Sequence, residues 1–250
     1  MHKTISIHSF RGGTGKSNIT ANLGYILATH GYRVCVIDTD IQSPGIHIPL
    51  QIPDYKGKTL NDYLFGKANI EEATVDISEK LGLKPKSYYL IPSDIKTESI
   101  TKILKEGYDM FLLAQAIKDL KNKLKVNFIL IDTHPGLNEE TLLSAALSDV
   151  FFVVMRPDEQ DFQGSSVTID IAKKLKVKNI FLIVNMVHPE YDLKQVKEAV
   201  EAKFNCPVAE VLPHTYNLNK FASKKLYCIE NSKDVWPQKI NNIASKLIND

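Results

Sequence analysis

Short, unbroken apolar runs recur along this chain, and they limit its fold more than any other feature. Phe128-Ile129-Leu130-Ile131 and Phe181-Leu182-Ile183-Val184 show no alternation of polar and apolar residues. Runs of this kind suit strands covered on both faces, as in a parallel sheet. The predicted strands are Ile5–His8, Val34–Asp38, Tyr88–Ile91, Phe128–Asp132, Val150–Met155, Ile180–Asn185 and Val208–Leu212. Helix-period segments lie between them: Ser17–His30 with Gly31 as its C-cap, then Tyr108–Leu124, Glu139–Leu147, Phe162–Leu175 and Leu193–Phe204. Strand–helix alternation from end to end predicts an α/β fold, with a doubly wound, mostly parallel sheet and helices on both faces. The 250 residues are read as a single domain, 1–250, with Pro44–Lys86 as an excursion at the sheet edge. The last segment, Pro237–Asp250, sets Ile240, Ile243, Ala244 and Leu247 on one helical face. Only Lys239 and Lys246 are basic there and no Phe or Trp joins the apolar side, which favours a closing core helix over a membrane-surface one.

Composition narrows the function classes. A net charge of +2 does not by itself demand a nucleic-acid or membrane partner. Lys118, Lys121, Lys123 and Lys125, like Lys173, Lys174, Lys176 and Lys178, are read as solvated helix faces. Cys35, Cys206 and Cys228 stand far apart with no CxxC pair, which argues against disulfides, a zinc site or a metal cluster. The N-terminus lacks a signal-peptide apolar region, and no apolar run approaches the roughly 20 residues that span a bilayer. A cytoplasmic location is expected.

The strongest chemical signal is Phe10-Arg11-Gly12-Gly13-Thr14-Gly15-Lys16-Ser17, set between a predicted strand and a predicted helix. Glycines let backbone N–H groups turn toward phosphate oxygens, and the following helix N-terminus adds partial positive charge. Lys16 would reach the terminal phosphates and the Ser17 hydroxyl would ligate Mg²⁺. Gly12, Gly13, Thr14, Gly15, Lys16, Ser17 and Asn18 are therefore the candidate nucleotide-binding set, with ATP and Mg²⁺ as the ligands. Phe128–Asp132 is an apolar strand ending in a carboxylate, and Asp132 is a second candidate on the metal.

An ordinary Walker A loop would have its first glycine at Phe10. The Gly12-Gly13 pair instead resembles the deviant Walker A of the ParA/MinD group of dimerising P-loop ATPases, which are SIMIBI-type proteins. Arg11 stands where that family has its signature lysine. The likeness continues in Val36-Ile37-Asp38-Thr39-Asp40, similar to the family's DxD segment. It implies that Asp38 joins Ser17 and Asp132 on Mg²⁺, and that Asp40 positions the attacking water. Thr133-His134-Pro135-Gly136 occupies the place of switch II, where Gly136 would offer a backbone N–H near the γ-phosphate. His134 is read as a solvated loop side chain in preference to a base. Asn185 corresponds to the family's reader of adenine, and Leu212-Pro213-His214 resembles its base-packing loop. Asn185 is also an ordinary strand-end turn residue.

The resemblance implies a slow, partner-stimulated ATPase whose ATP-bound form is a homodimer, working with an activating or cargo protein. Lys16, Asp40 and Arg11 would be its catalytic groups. Arg11 would act across the dimer axis on the partner's phosphates; the competing reading pairs it with a local carboxylate and leaves the dimer weak or absent. A nucleotide-gated adaptor with little hydrolysis is the alternative function, and DNA and membrane surfaces both stay open as platforms. The missing CxxC disfavours the related metal-cluster carriers.

Overall fold

The computed structural model describes residues 2–109, 111–221 and 223–249. In chain order the strands are β1 (Lys3–His8), β2 (Val34–Asp38), β3 (Val75–Asp76), β4 (Tyr88–Ile91), β5 (Phe128–Asp132), β6 (Val150–Met155), β7 (Asn179–Val187) and β8 (Val208–Pro213). The helices are α1 (Lys16–Thr29), α2 (Leu60–Leu64), α3 (Thr97–Glu106), α4 (Phe111–Lys123), α5 (Glu139–Ala146), α6 (Glu159–Lys174), α7 (Leu193–Phe204), α8 (Tyr216–Lys220), α9 (Tyr227–Glu230) and α10 (Val235–Asn249). All eight strands form one sheet in the order β3-β4-β2-β5-β1-β6-β7-β8. Every pairing is parallel except that of β3 with β4.

The unbroken apolar runs have the expected cause. Along β5, Phe128 and Leu130 face a core shared with α1 and α10, while Ile129 and Ile131 face a second core built on α4. Along β6 the division repeats: Phe152 and Val154 join the first core, and Phe151, Val153 and Met155 pack with α6 and α7. Successive strand residues point to opposite faces, so a strand buried on both needs apolar side chains throughout. Each fully buried Ile, Leu or Phe contributes about 1.5–3 kcal/mol through transfer from water. Ile240, Ile243, Ala244 and Leu247 of α10 are buried against the first core, so the closing helix is a core helix.

Pro44–Lys86 lies at the β4 edge, where it carries α2 and the two-residue β3. Thr59 and Asp62 form a reciprocal capping box that fixes the start of α2. The two-residue β3 and the further helices α3, α8 and α9 were not among the expected elements. No helix among the described residues is long and apolar enough to cross a membrane.

Parallel order brings the carboxyl ends of β1, β2 and β5 together. There β1 runs into the glycine loop, β2 ends at Asp38 and β5 ends at Asp132. Register places Asp38 beside Asp132, and Asp132 beside Ile7. Open α/β sheets bind ligands in the crevice at such strand ends.

Candidate nucleotide site

The loop between β1 and α1 reaches its shape through two left-handed glycines, Gly13 at φ +78° and Gly15 at φ +86°. A side chain at Gly15 would also overlap the Asn185 amide. Gly15 is the N-cap of α1, and it supplies no side-chain cap. By contrast, α5, α6 and α7 are each capped by a side chain, from Asn138, Asp158 and Asp192. The first N–H groups of α1 therefore keep an anion-binding capacity that α5, α6 and α7 spend on their own caps. They face a cleft of about 350 Å³ lined by Ser9, Gly12–Asn18, Asp40, Pro135 and Ser223, among others.

Lys16 is almost fully buried and places Nζ 2.9 Å from Asp132 Oδ1. The Thr20 hydroxyl donates to the same oxygen at 3.2 Å. Asp38 Oδ1 accepts the Asp40 backbone N–H at 3.1 Å. The second oxygens, Asp38 Oδ2 and Asp132 Oδ2, are buried and meet no hydrogen-bond donor. Burial pushes the Asp38 carboxyl well above the usual range, and the charge of Asp132 adds to this, while Lys16 opposes it. Two adjacent carboxylates with orphaned oxygens beside one lysine are short of positive charge. A divalent cation with oxygen-only preference suits that donor set.

The outer residues are placed as follows. Arg11 Nη1 lies 3.4 Å from Asp161 Oδ1 and 3.6 Å from Asp158 Oδ1, so in this chain it pairs locally. Asp161 is buried and also accepts from Arg156 Nε at 3.0 Å and from the Arg156 backbone N–H at 2.9 Å. Burial alone would raise the Asp161 carboxyl; hydrogen bonds from Arg156 and the two guanidinium charges hold it below the usual range. Asn185 donates through Nδ2 to Thr14 O at 2.8 Å, bracing the loop from beneath. Pro213 lies at the end of β8, paired in register with Val187. Gly136, at φ +91°, gives its N–H to Ser9 O at 3.1 Å. That bond has to open before the amide could serve a phosphate. Arg11, Asn185, Pro213, Gly136, Asp38 and Asp132 all lie outside the cleft's lining.

The profile of the CobQ/CobB/MinD/ParA nucleotide binding domain matches residues 5–227. The chain belongs to this family. It is 32% identical over 247 residues to an uncharacterised ATP-binding protein of Methanocaldococcus jannaschii, covering 98% of this chain and 87% of that protein. Its fold matches the cell division ATPase MinD of Pyrococcus furiosus with a TM-score of 0.83 and 25% identity, covering 100% of this chain and 99% of that one. MinD of Pyrococcus horikoshii, complexed with Mg-ADP, matches at TM-score 0.81 and 24% identity, covering 99% and 96%.

Three features of this MinD/ParA-family site were not read from the sequence. His134 is not a freely solvated loop residue: its Nδ1 lies 2.7 Å from Asp40 Oδ1. The Phe10 ring seats on Gly164 in α6, where any Cβ would overlap it. A lone glycine inside a helical pattern signals such close approach, so Gly164 carried a readable hint. The third is His8, buried beneath the loop, stacked on Phe151 and 2.8 Å from Thr133 Oγ1.

Proposed function

We propose that this chain is a MinD/ParA-type switch ATPase that binds Mg-ATP, hydrolyses it slowly, and associates as an ATP-dependent homodimer to position or partition a cellular cargo. The observation that carries the reading is an α1 N-terminus without a side-chain cap on the cleft, with Lys16 linking that cleft to the buried Asp38–Asp132 pair and its two orphaned oxygens behind it. The ATP-binding relative and the MinD ATPases that share the fold support ATP as the nucleotide.

In this reading the N–H groups from Gly12 to Ser17 and the Lys16 ammonium hold the phosphates. Lys16 exchanges its Asp132 partner for phosphate oxygens, so its charge stays compensated. Ser17, Asp38 and Asp132 hold Mg²⁺, which when bound neutralises charge on the phosphates. Asp40, on the cleft wall, orients the attacking water. Asn18 lies along the same cleft, its Nδ2 3.1 Å from Ser223 Oγ. Asn185 and Pro213 flank the adenine, and Gly136 turns its amide to the γ-phosphate once Ser9 releases it. Arg11 leaves Asp158 and Asp161 to reach the phosphates of the partner subunit. Its planar fork retains the positive charge of the signature lysine and adds bidentate geometry.

Light scattering on the purified protein tests the dimer. Mg-ATP should roughly double the mass, and Arg11→Ala should abolish that change while still binding nucleotide. A wild-type mass unchanged by Mg-ATP, or an Arg11→Ala variant that still dimerises, contradicts the proposal. Single-turnover conversion of bound ATP separates the switch from the nucleotide-gated adaptor, in which bound ATP would persist.

A further inference from the structure

We infer that His134 is a positioning residue that holds the Asp40 carboxylate in place across the gap between the loops after β2 and β5. The inference rests on the proposed ATPase reading for what Asp40 does, but not for the contact itself.

Asp40 Oδ1 is gripped from two sides. The Ser43 backbone N–H donates to it at 3.1 Å, from the same loop. His134 Nδ1 lies 2.7 Å away, from the loop that follows Asp132. A carboxylate oxygen only accepts, so the ring donates through Nδ1. Short hydrogen bonds to an ionised acceptor are about twice as strong as neutral ones. The Asp40 backbone is tied in turn, since its N–H donates to Asp38 Oδ1. His134 is thus the cross-loop contact to Asp40, while Ser43 and Asp38 both belong to Asp40's own segment. The neighbouring residue, Pro135, lines the nucleotide cleft together with Asp40, so the same short loop borders the cleft and carries the clamp. The imidazole itself does not line that cleft. It acts on any water there through Asp40.

A donor of the same reach should replace the ring. His134→Asn keeps an N–H near the position of Nδ1, whereas His134→Ala removes it. Two readouts follow. Hydrogen–deuterium exchange on the ligand-free protein should show faster exchange over residues 40–43 in His134→Ala, by about 10-fold, with wild-type protection regained in His134→Asn. Single-turnover hydrolysis of bound ATP should fall about 10- to 100-fold in His134→Ala and recover most of that loss in His134→Asn, with ATP affinity unchanged in both. Equal exchange in wild type and His134→Ala overturns the clamp. So does a rate loss of the same size in both variants, because the imidazole would then be needed for something other than its donor. If wild-type protein binds no ATP, the ATPase reading fails, and the exchange comparison still decides whether His134 holds Asp40.

Discussion

Acidification should weaken this fold through one residue, His8. It sits at the end of β1, fully buried and stacked on Phe151. His8 Nδ1 lies 2.8 Å from the Thr133 hydroxyl, which also reaches Ile7 O at 3.1 Å. Nε2 is buried and meets no hydrogen-bond partner. Burial, with smaller contributions from the charges of Lys16 and His134, pushes the His8 pKa down from 6.5 to about 3. In the unfolded chain the same ring titrates near 6.5. Between those values the unfolded state binds more protons, so stability rises with pH through this window and is complete above it. Falling pH removes it: each pH unit below 6.5 costs about 1.4 kcal/mol until the folded value is approached, which makes about 2 kcal/mol at pH 5. Urea unfolding of wild type and His8→Leu at pH 7 and pH 5 isolates the effect, because every other titrating group is common to both. The wild type should lose about 2 kcal/mol more than the variant on acidification. Parallel losses, agreeing within about 0.5 kcal/mol, would refute the buried neutral imidazole.

Two further substitutions test the supports of the loop. Gly164→Ala would gain about 1 kcal/mol in an ordinary helix interior, but here its Cβ overlaps the Phe10 ring, so a net loss of about 1–3 kcal/mol is expected in thermal unfolding. A raised melting temperature would show that the ring does not occupy that notch. Asp161→Asn removes the charge that binds both Arg156 and Arg11, and should cost about 1–2 kcal/mol after allowance for the partly exposed guanidinium groups. Added NaCl should narrow that gap in urea unfolding, and an undiminished or absent difference would contradict the assignment.

The elements that build the site were legible because their signals are local. β5 and β7 announce themselves as unbroken apolar runs, and the double-sided burial of Phe128 to Ile131 explains why. The glycine loop could be read because two left-handed positions demand glycine at Gly13 and Gly15. What escaped depends on residues distant in sequence. His134 meets Asp40 across 94 positions, and the carboxylate that answers the competing reading of Arg11, Asp161, lies 150 positions away, so no periodicity names either partner. Asp158 did carry a local sign, as a capping residue three places before Asp161, but a cap alone does not foretell an arginine clamp. The edge strand β3 escaped for another reason: at two residues it is too short to show alternation.

The central claim is that Lys16 and the loop around it hold the phosphates of Mg-ATP. Calorimetric titration of Mg-ATP into wild type and Lys16→Ala tests this most directly. Saturable binding by the wild type is expected, weakened about 30-fold or more in the variant, since a charge-assisted contact is lost. Chelation of Mg²⁺ should weaken the wild-type affinity as well. Absence of binding by the wild type, or equal affinity in Lys16→Ala, would contradict the account.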